Sequence, residues 1–247
     1  MKIITLNTWG GKIKEPLFDF LKQNKDIEVF CFQEIFKGGL TEEMENLTNI
    51  SDANPSLYED IVKILPNHVG IFCPVYKESY GTAIFVKKDI QILEQGDVFL
   101  YENKTFPNSD EPDADNSRKM QRVKLNTTNG ILNIFNLHGH WVRGSKEDTS
   151  NRLEQSNIIL DQISKSVGPI ILCGDFNLKP DTQSIKMIED KMVNLIRKYN
   201  IKTTRTKLYT KSEKFADYIF VSSDIKEKIF KVLPYVVSDH TALLLEI

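Results

Sequence analysis

The sequence predicts an α/β protein of two stacked mixed β-sheets with helices outside, and three observations carry that prediction. Apolar runs of strand length come in clusters between single amphipathic segments, not in the strict βα alternation of an all-parallel sheet. The 247 residues reach the upper end of one domain and can bury a large core. The strongest run, PIILCGDFN at 169–177, reads as a strand buried on both faces that ends abruptly in polar residues.

Residues 2–8 open the chain as a strand, and 16–24 follow as a helix with Leu17, Phe18, Phe20 and Leu21 on its inner side. The run EVFCFQE at 28–34 is the second core strand. Helical patterns follow at 41–50 and 56–65, the second stopping before Pro66, where proline disfavours the helical conformation of its predecessor. Strands at 68–73, 81–87 and 90–100 lead into a polar, proline-broken loop over 101–116, long enough to act as a mobile flap. Strands at 119–126 and 131–137 flank Thr127-Thr128-Asn129-Gly130, a hairpin turn signal. A loop over 138–149 enters a helix at 152–166, with Asn151 and Glu154 spaced as a capping pair. Beyond the central strand, 181–199 reads as mostly helical and 200–214 as a basic loop, and 216–222, 229–236 and 241–247 are the last strands. No repeat, linker or low-complexity segment divides the chain, so one domain over 1–247 is expected.

Charge narrows the function classes. Lys+Arg of 32 against Asp+Glu of 34 gives a net charge of -2, which excludes a uniformly basic nucleic-acid binder and makes any polyanion site local. Cys31, Cys73 and Cys173 each lie in an apolar run without CxxC spacing and read as buried, reduced thiols. No run has the length of a membrane span, and the chain opens directly on a strand; a cytoplasmic protein without an obligate protein partner is the expectation.

The chemistry is expected at strand ends. Gly174 closes its apolar run where a side chain would crowd the neighbouring layer, and Asp175 and Asn177, two residues apart in extended chain, aim a carboxylate and an amide the same way. Asn7, Glu34 and His138 end their own apolar runs, Asp217 opens DYIFV, and Asp239-His240 precedes the final strand. This set has the members that metal-assisted hydrolysis of a phosphoester needs. Mg²⁺ or Mn²⁺ takes oxygen ligands and few protein carboxylates, a role that Glu34 fits. Asp175 is placed to serve the attacking water as general base, while Asn177, Asn7 and His240 supply donors for charge growing on phosphorus. Asp217 behind the His240 imidazole would fix its tautomer and raise its pKa. Arg118, Arg152 and His140 are candidate substrate contacts, with Arg143 beside them. Two rival readings are weaker: Ser238-Asp239-His240 are sequence neighbours and cannot form a hydrolase triad, and His138-Gly139-His140 has spacing that suits zinc but no third soft ligand.

In order and rough spacing, LN at 6–7, QE at 33–34, NLHGH at 136–140, GDFN at 174–177, DYIF at 217–220 and SDH at 238–240 resemble the endonuclease/exonuclease/phosphatase superfamily over nearly the whole chain. The resemblance implies a four-layer α/β sandwich of two sheets flanked by helices. It also implies that Asn7 and Glu34 belong to a metal site with Asp239 near it, that Asp175 and Asn177 orient water and phosphate, that His138 contacts the phosphoryl group, and that Asp217 pairs with His240. The metal role of Asp239 comes from the resemblance alone. Abasic-site endonucleases carry an acid two residues after the first-strand Asn, where this chain has Trp9; LNTWG and the HxH pair are closer to neutral sphingomyelinase-like and small bacterial members.

The expected function is therefore a Mg²⁺- or Mn²⁺-dependent phosphodiesterase acting on DNA or another nucleic acid. Nine basic residues, Lys186, Lys191, Arg197, Lys198, Lys202, Arg205, Lys207, Lys211 and Lys214, are available to follow a phosphate backbone. A lipid or small-molecule phosphoesterase, of sphingomyelinase or inositol-phosphatase type, is the alternative, and a non-catalytic module of the same fold is a third reading.

Overall fold

A computed structural model describes residues 1–40, 52–102 and 117–247. The expected helix at 41–50 and most of the expected flap at 101–116 lie outside the described residues.

Two six-stranded mixed sheets stack face to face. The first contains β1 (Lys2–Asn7), β2 (Val29–Phe36), β3 (His68–Tyr76), β4 (Tyr80–Lys87), β11 (Ile229–Val232) and β12 (Leu243–Glu246), in the order β11-β12-β1-β2-β4-β3. The second contains β5 (Gln91–Tyr101), β6 (Arg118–Thr127), β7 (Gly130–His138), β8 (Ile170–Asp175), β9 (Val193–Asn194) and β10 (Asp217–Val221), in the order β5-β6-β7-β8-β10-β9. Helices α1 (Lys14–Gln23) and α2 (Leu57–Ile64) cover the first sheet; α3 (Ser150–Ser164), α4 (Gln183–Glu189) and α5 (Leu195–Lys198) go with the second. This is the α/β sandwich that the sequence predicts.

Strand alternation sorts the core into layers. Ile3, Val29, Cys31, Ile84 and Val86 turn inward to the second sheet, while Ile4, Leu6, Phe30, Phe32, Ala83 and Phe85 turn outward under Leu17, Phe20, Leu21, Leu57 and Ile61 of α1 and α2. All three cysteines are buried and free.

Each sheet contains one parallel pair, β1 with β2 and β7 with β8. A parallel pair needs a long crossover, supplied here by α1 and α3, so the carboxyl ends of both strands open on the same edge. Stacking brings the two edges together. Asn7 and Glu34 arrive from one sheet, His138 and Asp175 from the other.

Three local expectations are corrected. The segment 181–199 is not one helix: it breaks after Glu189, and the Asn194 side chain accepts from the Ile196 and Arg197 N–H groups to start α5 afresh. Helix α3 is capped by Thr149, whose hydroxyl accepts from the Arg152 N–H, and Asn151 and Glu154 already lie inside the helix. Strand β11 ends at Val232, not Val236, because Pro234 has no N–H for the ladder.

Candidate active site

Register puts the polar strand ends side by side. His138 is level with Asp175 across β7 and β8, and Asp175 is level with Asp217 across β8 and β10. The close approach needs Gly174: at φ 134° its missing Cβ would lie 2.1 Å from the Leu137 carbonyl oxygen. In the other sheet, the β2–β4 register shifts between Phe32 and Ile35, and Glu34 occupies this bulge at φ 58°. A non-glycine residue in that region stores strain, and here the strain turns Glu34 towards the pocket.

One amide joins the two sheets at the surface of the site. Asn7 Nδ2 donates to Glu34 Oε1 at 2.9 Å and to Asp175 Oδ2 at 3.0 Å, while its Oδ1 accepts from the Trp9 N–H. Asn7 therefore buttresses both acids, and its oxygen is engaged with backbone instead of being presented as a ligand. A layer deeper, Gln33 Nε2 donates to Asn136 Oδ1 at 2.6 Å, and Asn136 Nδ2 donates to the Phe32 carbonyl at 3.0 Å. These buried amide contacts tie the two sheets together beneath the site.

Asp175 is the centre. Its Oδ1 accepts from the Asn177 N–H at 2.9 Å, and its Oδ2 lies 3.7 Å from Nε2 of both His138 and His240. Burial would raise its pKa, but the facing charges of His240, Lys146 and Arg205 outweigh burial and hold the carboxyl well below the usual range. Asn177 is held at both ends of its amide: Oδ1 accepts from Lys146 Nζ, and Nδ2 donates to the Gly139 carbonyl at 3.1 Å.

The two histidines differ in their partners. His240 Nδ1 is 2.8 Å from Asp217 Oδ1, and although burial pulls its pKa down, the carboxylates of Asp217, Asp239 and Asp175 together outweigh burial and Arg205, and the pKa is raised. Burial also pushes Asp217 up. His138 faces the Arg118 guanidinium, 3.0 Å from Nδ1 and 3.2 Å from Nε2, and burial together with that cation holds it well below the ordinary histidine value. Burial raises Glu34, and the carboxylates of Asp239 and Asp175 push it further in the same direction against the Asn7 hydrogen bond.

The structure thus brings Asn7, Glu34, His138, Asp175, Asn177, Asp217, Asp239 and His240 together, with Arg118 beside His138. Two of the expected substrate contacts turn elsewhere. Arg152 is fully buried, with Nε on the His140 carbonyl at 3.1 Å and its terminal nitrogens on the Ser145 and Glu147 carbonyls, so it is a brace for the 138–149 loop. His140 packs its ring 4.3 Å from Tyr101 and gives its N–H to Gln155. Arg143 is exposed on the turn closed by the Val142–Ser145 bridge. Two residues of the site escaped sequence reasoning. Lys146 lies in a polar loop that no apolar run flags, and Arg205, read only as one of nine basic residues, is buried with its guanidinium on His240 Nε2 and, at 3.2 Å, on Asp239 Oδ2.

Asp175, Asp217 and His240 hold ligand atoms within 4.8 Å of one another, a spacing that could hold a metal ion. Two of the three already bond to each other, and Arg205 closes the third side. Glu34 offers oxygen donors of the kind a hard cation takes, with the carboxylates of Asp239 and Asp175 close enough to act on it. Among the described residues, His138 and His140 join no group of three metal-ligating side chains, which removes support for zinc there.

The sequence profile of the Endonuclease/Exonuclease/phosphatase family matches residues 4–240. The chain belongs to this family. Members are phosphoesterases, and solved structures of the fold are similar throughout. A mannosyl-6-phosphatase from Bacteroides thetaiotaomicron is 20% identical with a TM-score of 0.73, the match covering 100% of this chain and 98% of that one. A humanized D. rerio TDP2 is 14% identical with a TM-score of 0.73, over 99% of this chain and 97% of that one. The human Nocturnin catalytic domain is 15% identical with a TM-score of 0.69, over 99% and 93%. No curated protein matches the sequence. Among the described residues, no helix is long and apolar enough to cross a membrane.

Proposed function

We propose that this family member is a Mg²⁺- or Mn²⁺-dependent phosphoester hydrolase in which water attacks phosphorus over Asp175. The observation that carries the reading is Asp175 itself: a buried carboxylate held ionised by facing cations, fixed by Asn7 and the Asn177 N–H, and placed 3.7 Å from two imidazoles.

Glu34 and Asp239 would hold the ion, which when bound supplies Lewis-acid stabilisation of a phosphoryl oxygen. The chain's own residues do the rest. Asp175 orients the attacking water and accepts its proton, while the second hydrogen of the Asn177 amide and the Arg205 guanidinium seated on His240 serve the equatorial oxygens where charge accumulates. Asp217 holds His240 in one orientation and raises its pKa, and the neutral His138 beside Arg118 completes the wall. Removing the ion with a chelator should stop turnover, restorable by Mg²⁺ or Mn²⁺; chelator-resistant turnover would refute the metal role. Glu34→Gln should weaken Mn²⁺ binding in a calorimetric titration.

Of the two substrate readings, three of the nine basic residues favour a small phosphoester over nucleic acid. Arg197 pairs with Glu189 at 2.8 Å and Asp181 at 3.6 Å, Lys198 pairs with Glu227, and Arg205 turns into the pocket. Surface cations already paired are poorly placed to follow a phosphate backbone. A nuclease using six or more phosphate contacts would lose about three or more decades of affinity between about 50 and 200 mM salt. The small-ester reading predicts little salt response and faster turnover of sugar or nucleoside phosphates than of DNA or RNA. The mannosyl-6-phosphatase neighbour offers a precedent on this fold.

A further inference from the structure

We propose that Lys146 is a positioning residue for Asn177, fixing which end of that amide is turned to the phosphoryl group. The inference rests on the phosphoester-hydrolase reading above and adds to it a residue that acts through another.

An amide has a donor end and an acceptor end, and only the donor end can serve charge growing on a phosphoryl oxygen. Two contacts of opposite kind decide which end Asn177 presents. An ammonium has hydrogens and no acceptor, so the atom facing Lys146 Nζ must be Oδ1. A carbonyl only accepts, so the atom 3.1 Å from the Gly139 oxygen must be Nδ2. Turning the amide over would lose both contacts at once, setting Nδ2 against the ammonium and Oδ1 against the carbonyl. One hydrogen of Nδ2 goes to Gly139, and the other is left for substrate. The Asn177 backbone is fixed as well, at φ 58° with its N–H given to Asp175 Oδ1 at 2.9 Å, so the side-chain torsions are the freedom that remains. Lys146 removes it.

The loop that carries the lysine is tied down at each residue from Ser145 to Asp148. Arg152, itself fully buried, donates to the carbonyls on either side of Lys146, Ser145 at 3.0 Å and Glu147 at 2.6 Å. The Lys146 carbonyl accepts from the Lys179 N–H at 2.9 Å. The Asp148 carboxylate accepts from the Gln183 and Ser184 N–H groups at 2.6 and 2.9 Å, at the start of α4. Lys146 is only 5% exposed, and burying an ammonium is costly where an apolar side chain would cover the site as well. The hydrogen bond it gives to Asn177 accounts for a lysine at this position.

The test is a double-mutant cycle on the full chain, with p-nitrophenyl phosphate and Mg²⁺ at pH 7. Asn177→Ala should lower kcat by about two to three decades, as loss of a charge-stabilising donor does. Lys146→Met should lower kcat by about ten- to thirtyfold and leave KM within about threefold, the mark of a contact felt in the transition state. In the Asn177→Ala background the same change should cost less than about twofold, because the group it positions is gone. Lys146→Arg, whose guanidinium also only donates, should recover part of the rate. If Lys146→Met does not fold, Lys146→Ala takes its place in the cycle. A second readout is independent of turnover: the Asn177 side-chain amide NMR signals of the metal-free protein, assigned by their loss in Asn177→Ala, should shift and exchange faster with water in Lys146→Met. An equal loss of kcat in both backgrounds would mean that Lys146 acts on substrate or fold without Asn177, and would overturn the inference, as would unmoved amide signals. Failure of wild type to turn over any phosphoester would overturn the hydrolase reading, while the amide signals would still decide whether Lys146 orients Asn177.

Discussion

His138 and His240 stand on opposite sides of one carboxylate, each with Nε2 3.7 Å from Asp175 Oδ2, and both are buried, yet they are driven in opposite directions. On the β6–β7 side Arg118 faces the ring and burial prevails, so His138 stays neutral. On the β10 side Asp217 faces the ring, and with Asp239 and Asp175 it outweighs both burial and the Arg205 guanidinium, so the His240 pKa is raised. The difference teaches that, at equal depth, the charged neighbours of each imidazole set the direction of its shift. The two walls of the pocket therefore differ in proton affinity, raised at His240 and lowered at His138.

The comparison can be broken most severely at its shared centre. Asp175→Asn removes the charge that both imidazoles face and should lower kcat by about three orders of magnitude with the fold intact by circular dichroism; turnover within tenfold of wild type would remove Asp175 from the chemistry. Asp217→Asn should cost about two to three decades and lower the His240 pKa in the metal-free protein, read from its imidazole NMR signals. An unmoved His240 would mean that Asp217 does not set its charge. Arg118→Met should act on the other wall alone: the His138 pKa rises towards the ordinary value, and turnover falls by about tenfold.

The smallest effect sharpens the comparison with a third imidazole remote from the pocket. His68 gives Nε2–H to the Ile27 carbonyl at 2.8 Å, packs its ring tilted against Phe30, and leaves Nδ1 buried without a partner, so burial lowers its pKa. With the folded pKa below the unfolded one, the unfolded chain binds more protons in the interval between them. Its contribution to stability is therefore complete above about pH 6.5 and is lost as pH falls through that interval. Chemical denaturation from pH 7.5 to 5 should show a shallower decline for His68→Gln than for wild type; parallel curves would show that His68 is not a buried neutral group.

Much of this site was legible because a polar residue ending an apolar strand has few places to go. The period-2 pattern of β1, β2, β7 and β8 dictates which residues reach the shared edge, and Gly174 marks where two strands approach too closely for a side chain. Loop residues carry no such signal. Arg152 was conspicuous in sequence as a cation near the histidine pair, but its guanidinium serves three loop carbonyls, while the inconspicuous Lys146 that this loop carries reaches the pocket. Arg205 belonged to a charge run whose other members disperse over the surface, and only its backbone bridge to His240 brings it inward. The break after Glu189 was hidden because Asn194 is compatible with a helical pattern until its side chain caps a new turn.

The most direct test is the fate of oxygen. Hydrolysis of a phosphate ester by the Mg²⁺-loaded protein in ¹⁸O-water, followed by mass spectrometry, should place one ¹⁸O in the phosphate-bearing product and none in the released alcohol, with no label transfer in Asp175→Asn. Label in the alcohol would mean that carbon, not phosphorus, is attacked, and would contradict the assignment of Asp175, Asn177 and His240 to a phosphoryl group.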